Sequence, residues 1–178
     1  KQKKMDYFTL GINNLVDYYS LYGPHFNDNV LKVEEKIKFK IADFNFVSII
    51  DRIDDEESKN IKVIDYKTGK KNITEKKLST DLQMGIYFIA INSIFPDIEN
   101  ENIILSHLYT RNNKEVSIKA SEIDRDSLKN KITQNINLIE SCEEKNDFIP
   151  KESNLCNWCY YWKECEKKTG DNPSFYLE

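Results

Sequence analysis

The sequence predicts one α/β domain with helices packed on a sheet, because helical apolar spacing at both ends encloses a run of three β-rich segments and a further helix-strand pair. Between Met5 and Tyr22, the residues Phe8, Ile12, Leu15, Tyr19 and Tyr22 share one helical face, and Gly23-Pro24 stops the helix. Val30 to Ile41, Phe46 to Ile53 and Ile61 to Tyr66 then read as an antiparallel meander, separated by Ala42 to Asn45 and by the acidic turn Asp54 to Asn60. Ser79 or Thr80 caps a second helix carrying Leu82, Ile86, Ile89 and Ala90, which ends before Pro96. A strand from Ile103 to Thr110, a turn at Arg111-Asn112-Asn113 and a short return from Glu115 to Lys119 follow. The last helix runs from about Asp124 to Glu144, with Leu128, Ile132, Ile136, Ile139 and Cys142 on one face. Phe148 to Cys165 forms an aromatic, cysteine-rich tail, and no internal repeat divides the chain, so residues 1–178 are expected to form a single domain.

Composition narrows the class. A chain that is 39% hydrophobic and 31% charged, with few glycines and prolines, has the make-up of a globular protein with a real core. No run reaches the roughly 18 apolar residues of a membrane span, and Lys1-Gln2-Lys3-Lys4 is not followed by a signal-peptide apolar stretch, so a cytoplasmic location without membrane partners is expected. The first residue is Lys rather than Met, and a longer parent chain is an expectation too. The net charge of −4 excludes a uniformly basic nucleic-acid-binding surface. Lysines nevertheless crowd one segment: Lys59, Lys62, Lys67, Lys70, Lys71, Lys76 and Lys77 stand against only Asp65 and Glu75, which favours a local phosphate-binding patch.

The chemistry concentrates in Asp51-Arg52-Ile53-Asp54 and Asp65-Tyr66-Lys67-Thr68-Gly69. Residues two apart on a strand share a face, so Asp65 and Lys67 point together while Tyr66 points away. An antiparallel neighbour bearing Asp51 brings a second carboxylate alongside, and a hard divalent ion relieves the repulsion between them. Lys67 completes a set suited to phosphodiester hydrolysis, orienting a water or balancing charge on the phosphate.

These two segments resemble the second and third motifs of the PD-(D/E)XK nuclease superfamily, and specifically its RecB-like branch of helicase-nuclease subunits, CRISPR-associated four-cysteine nucleases and phage exonucleases. The resemblance implies a restriction-endonuclease-like core with a mixed central sheet flanked by helices, metal binding by Asp51 and Asp65, and a catalytic Lys67. Ser48 stands near where family members often carry glycine. Gln83-Met84-Gly85-Ile86-Tyr87 resembles the family's QxxxY motif, and Gln83 and Tyr87 share a helix face. The implied activity is a Mg²⁺- or Mn²⁺-dependent DNA nuclease, an exonuclease on ends or single strands in DNA processing, repair or recombination, with a helicase or other subunit as partner. A silent DNA-binding module on the same scaffold is the rival expectation. Lys70, Lys71, Lys76 and Lys77 are the candidate DNA contacts.

Cys156, Cys159 and Cys165 have thiolate-ligand spacing and resemble the C-terminal cysteines of the family's iron-sulfur members, which implies a [4Fe-4S] cluster in preference to zinc. The fourth ligand is Cys142, an upstream residue, or none; Cys142 also suits a buried place on its helix. Glu35, in phase with Val33, Ile37 and Phe39, is a further candidate metal ligand, with Glu34 facing outward. His25 and His107 are read as structural.

Overall fold

The computed structural model describes residues 2–24, 29–56 and 60–172. His25 and Lys59 lie outside them. Five strands form one mixed sheet in sequence order: β1 (Val30–Ile41), β2 (Phe44–Glu56), β3 (Asn60–Lys67), β4 (Ile103–Tyr109) and β5 (Lys114–Lys119). The expected meander β1-β2-β3 is antiparallel throughout, β3 and β4 run parallel, and β5 returns antiparallel to β4. A parallel step needs a crossover, which is supplied by α2 (Glu75–Leu78) and α3 (Leu82–Ile94). α1 (Gln2–Tyr22) precedes the sheet, and α4 (Arg125–Lys145) follows it.

In the second half of β1, alternation does what the sequence requires: Ile37, Phe39 and Ile41 are buried while Lys36, Lys38 and Lys40 face out. The first half departs from the expected phase. Glu34 takes a left-handed φ of 49°, the β1–β2 register shifts between Val30 and Lys32, and Val33 is left 64% exposed. On β2 both Ile50 and Ile53 are fully buried, which strict alternation forbids, so the strand rolls over between them. That roll lets the far end of β2 present Asp51 on the face that Ile53 occupies.

Asp81, rather than Ser79 or Thr80, caps α3 by accepting from Met84 N at 3.0 Å. The expected cap segment forms instead the end of α2, whose own cap is Thr74. α3 is buried on two sides, through Met84, Tyr87, Phe88 and Ile91, because it lies against the sheet and beneath α4. Leu82 and Ile86, expected on the core face, are only partly buried. α4 is capped by Asp124 and contributes Leu128 and Ile132 to the core, whereas Leu138 and Ile139 are exposed. The apolar face expected through Cys142 thus packs only along its first half.

Gly85 is where α3 meets α4. A β-carbon there would stand 2.6 Å from Leu128 Cδ1 and 2.7 Å from Cδ2. Gly85→Val is therefore expected to push the helices apart and lower stability by about 1–3 kcal/mol, measured by urea denaturation.

Candidate functional site

β3 divides its residues between two faces of the sheet. Ile61 and Val63 enter the core beneath α3, so Asp65 and Lys67 continue toward that helix and Tyr66 turns to the reverse face. The β2–β3 ladder pairs Arg52 with Ile64; one step further, Asp51 falls opposite Asp65. Asp51 Oδ2 accepts the backbone N–H of Tyr66 at 2.9 Å. The residue between Asp65 and Lys67 thereby fixes the carboxylate on the neighbouring strand.

α3 closes the site from above. The Asp81 cap puts Gln83 in the first turn, and its side-chain amide joins three groups. Nε2 donates to Asp65 Oδ1 at 2.8 Å and to Tyr87 Oη at 3.0 Å, while Oε1 accepts from Lys67 Nζ at 2.7 Å. Tyr87 lies one turn along the same helix face and donates its hydroxyl proton to Ile49 O at 2.9 Å. Lys67 also forms an ion pair with Asp65 Oδ2. Asp65, Lys67, Gln83 and Tyr87 are thus brought into one network. Burial pushes the Tyr87 phenol up to about 12; the charges of Asp65 and Asp51 push the same way, and the Gln83 bond opposes them. Both aspartates act on one hydroxyl, which puts Asp51 in the same neighbourhood.

Asp65 is 3% exposed, and its Oδ2 makes the Lys67 ion pair without a well-directed hydrogen bond. Such an atom fits a cation. Two carboxylates suit a small divalent ion that keeps most of its waters, and the set contains no soft donor. Among the described residues, no three His, Cys, Asp or Glu are arranged to hold a metal, and Asp51 and Asp65 face each other as a pair of carboxylates. Glu35 pairs across the ladder with Ile50 and turns its carboxylate to Lys32 at 3.6 Å.

His107, read from sequence as structural, stands beside this network. It pairs with Asp65 across the parallel β3–β4 ladder, is 4% exposed, and holds Nε2 3.9 Å from Asp65 Oδ2. Burial and then the Lys67 charge lower its pKa, against the opposing effects of Asp65 and Asp81. The available signal was its position on the strand that follows the Gln83 helix, but only the parallel register sets it opposite Asp65.

The rest of the first motif belongs elsewhere. Arg52 and Asp54 form a buried bidentate ion pair, with both contacts at 2.7 Å, on the reverse face, where Arg52 Nη1 also donates to Tyr18 Oη of α1 at 3.3 Å. Lys70 and Lys71 are exposed just after β3, and Lys76 and Lys77 are exposed on α2. The cysteines at 142, 156, 159 and 165 are free and half-buried; Cys156 Sγ accepts from Ser153 N at 3.3 Å.

A strand-borne Asp-x-Lys with a facing aspartate and an overlying Gln-Tyr helix defines a carboxylate site of hydrolytic type. The family model described as PD-(D/E)XK nuclease superfamily matches residues 17–166, and the chain belongs to that superfamily. Among curated proteins none matches the sequence significantly. The solved structure described as "Crystal structure of SSO0001" is similar at a TM-score of 0.44 and 16% identity, covering 90% of this chain and 69% of that one.

The Tyr87 phenol is expected to stay protonated through the pH range near its unfolded value of about 10, as followed by ¹³C NMR of labelled tyrosine. With its folded pKa raised, Tyr87 contributes stability that is intact below the unfolded value of about 10 and is lost as pH rises toward about 12. Gln83→Leu removes the bond that favours the phenolate and is expected to raise the Tyr87 pKa further.

Proposed function

We propose that this chain is a divalent-metal-dependent DNA nuclease of the RecB-like branch, degrading DNA from ends or as single strands. Its superfamily is one of nucleases that typically use Mg²⁺ or Mn²⁺. The observation that carries the reading is the Gln83 amide, bonded at once to Asp65, Lys67 and Tyr87, which makes one network of the Asp-x-Lys strand and the Gln-x₃-Tyr helix.

In this reading Asp51 and Asp65 hold the ion. When bound, it supplies Lewis acidity toward a phosphoryl oxygen and lowers the pKa of a coordinated water. Lys67 leaves Gln83 and Asp65 to orient the attacking water or to balance charge growing on the phosphate. Gln83 keeps Asp65 in place during that exchange, and Tyr87 anchors Gln83 to the Ile49 carbonyl. Lys70, Lys71, Lys76 and Lys77 neutralise backbone phosphates and carry no base information, which suits end-directed rather than site-specific cleavage. Work beside a helicase in DNA processing, repair or recombination follows from the branch.

Purified protein with Mg²⁺ or Mn²⁺ is expected to degrade end-containing or single-stranded DNA. Asp65→Ala and Lys67→Ala should each cut the rate by about 10²-fold or more, with folding checked by thermal denaturation. Equal activity in both folded variants would remove this site from the reaction. For the tail, cysteine spacing is the support for a [4Fe-4S] cluster on Cys156, Cys159, Cys165 and a fourth ligand such as Cys142. No chemical step depends on it. Anaerobically purified protein should be brown and contain iron and sulfide, whereas colourless protein carrying zinc would replace the cluster with a zinc site.

A further inference from the structure

We propose that His107 is a positioning residue for Asp65, directing its Nε2–H at Oδ2 and thereby tuning the affinity of the site for its divalent ion. The inference rests on the metal-site reading of Asp51 and Asp65 given above. His107 and Asp65 are directly paired across the parallel strands β3 and β4, and both are almost completely buried. Among the described residues, neither ring nitrogen of His107 has a hydrogen-bond partner, and neither does Oδ2 of Asp65. A buried polar group left without a hydrogen bond costs about 1–3 kcal/mol, so the unpartnered His107 ring facing a carboxylate oxygen held only by the Lys67 ion pair calls for a reason.

The geometry says which nitrogen matters. Nε2 lies 3.9 Å from Oδ2, about an ångström beyond a hydrogen bond, a gap that a shift of the imidazole closes. The imidazole stands edge-on to Tyr109 with 6.1 Å between ring centroids and has no hydrogen bond to fix it, whereas Gln83 holds the carboxylate, so the ring is the freer partner. The two oxygens of Asp65 then have separate supports. Oδ1 is held by Gln83 Nε2 at 2.8 Å, whereas Oδ2 depends on the flexible, 30% exposed side chain of Lys67. Once Lys67 turns to the phosphate, His107 is the buried donor that steadies Oδ2. Groups that orient metal ligands in this way alter metal affinity by about 10- to 100-fold.

Two measurements on the full chain decide the matter. Long-range ¹H–¹⁵N correlation of ¹⁵N-histidine-labelled protein reads the tautomer directly; the chain has only two histidines, and His25→Gln assigns them. His107 with its proton on Nε2 is expected, and a proton on Nδ1 alone overturns the proposal whether or not any variant folds. In the second, Mn²⁺ affinity is read by EPR on the wild type, His107→Phe and His107→Gln. His107→Phe should bind about tenfold more weakly, while His107→Gln, which keeps an N–H donor, should lose less. Equal affinity in wild type and folded His107→Phe overturns the role of His107 and leaves the nuclease reading standing. A wild type that binds no Mn²⁺ overturns both. Spin-echo modulation from a histidine nitrogen bound to Mn²⁺ would make His107 a ligand and overturn the positioning role.

Discussion

Burying the Asp65 carboxylate at the end of a central strand is the constraint on which the rest of the site depends. An ionised carboxylate withdrawn from water costs several kcal/mol unless charge and hydrogen bonds replace the solvent. Here the replacements come from two elements. Lys67 is supplied by the same strand, two residues on, and Gln83 by the first turn of α3. Gln83 reaches only because Asp81 starts the helix where it does, and α4 closes over α3 because Gly85 leaves room for Leu128. A helix cap and a missing β-carbon thus have consequences several residues away, at the carboxylate. The same amide keeps Lys67 from being spent wholly on Asp65, since it offers the ammonium a neutral acceptor at 2.7 Å.

The reverse face buttresses the same strands. Alternation on β3 leaves Tyr66 between the two site residues, pointing the other way, and its ring meets Tyr18 of α1 edge-on with a 6.0 Å centroid separation. The Tyr66 hydroxyl lies 3.2 Å from that of Tyr18 and accepts from Arg52 Nη1 at 3.4 Å. Since Tyr66 N–H also holds Asp51, α1 and the Arg52–Asp54 pair steady from behind the backbone that spaces Asp51 from Asp65. A buried bidentate pair contributes little net stability, but removing one partner is costly, which suits a fixed spacer.

How much of this was legible in the sequence varies with the physics involved. The antiparallel meander and the shared face of Asp65 and Lys67 follow from alternation, and the reach of Gln83 to Tyr87 follows from helical spacing. The assignment of Asp54 to the reverse face follows from alternation as well, once the roll in β2 is known. That roll was not legible, because it arises where Glu34 adopts a left-handed conformation in the opposing strand, and nothing in Val33-Glu34-Glu35 signals it. The neighbourhood of His107 was hidden for a different reason: its place depends on the crossover register between β3 and β4, a tertiary fact with no local code. On α3, Ile89 and Ala90 are buried as expected and Leu82 and Ile86 pack partly buried against the core, but Met84, Tyr87, Phe88 and Ile91 were missed because a helix covered on two sides loses the single stripe on which periodicity relies.

Charge is sorted by the sheet, so a net charge of −4 leaves room for a local run of exposed lysines. Lys62, one of the crowded lysines, is bound on the reverse face to Glu115 at 2.9 Å and to Glu56 at 3.5 Å, within a cleft that also holds Asp54 and Asp55. It is neutralised there, beside the acids Asp54, Asp55, Glu56 and Glu115. Lys67 is held inside the network. The remaining described lysines of that run, Lys70, Lys71, Lys76 and Lys77, are exposed and follow directly from the end of β3 that carries Asp65. Interactions between exposed charges fade beyond about 8–10 Å in physiological salt, so the local grouping of charge matters more than the total. The sign of the whole chain is therefore a poor guide to the charge of any one edge of the sheet.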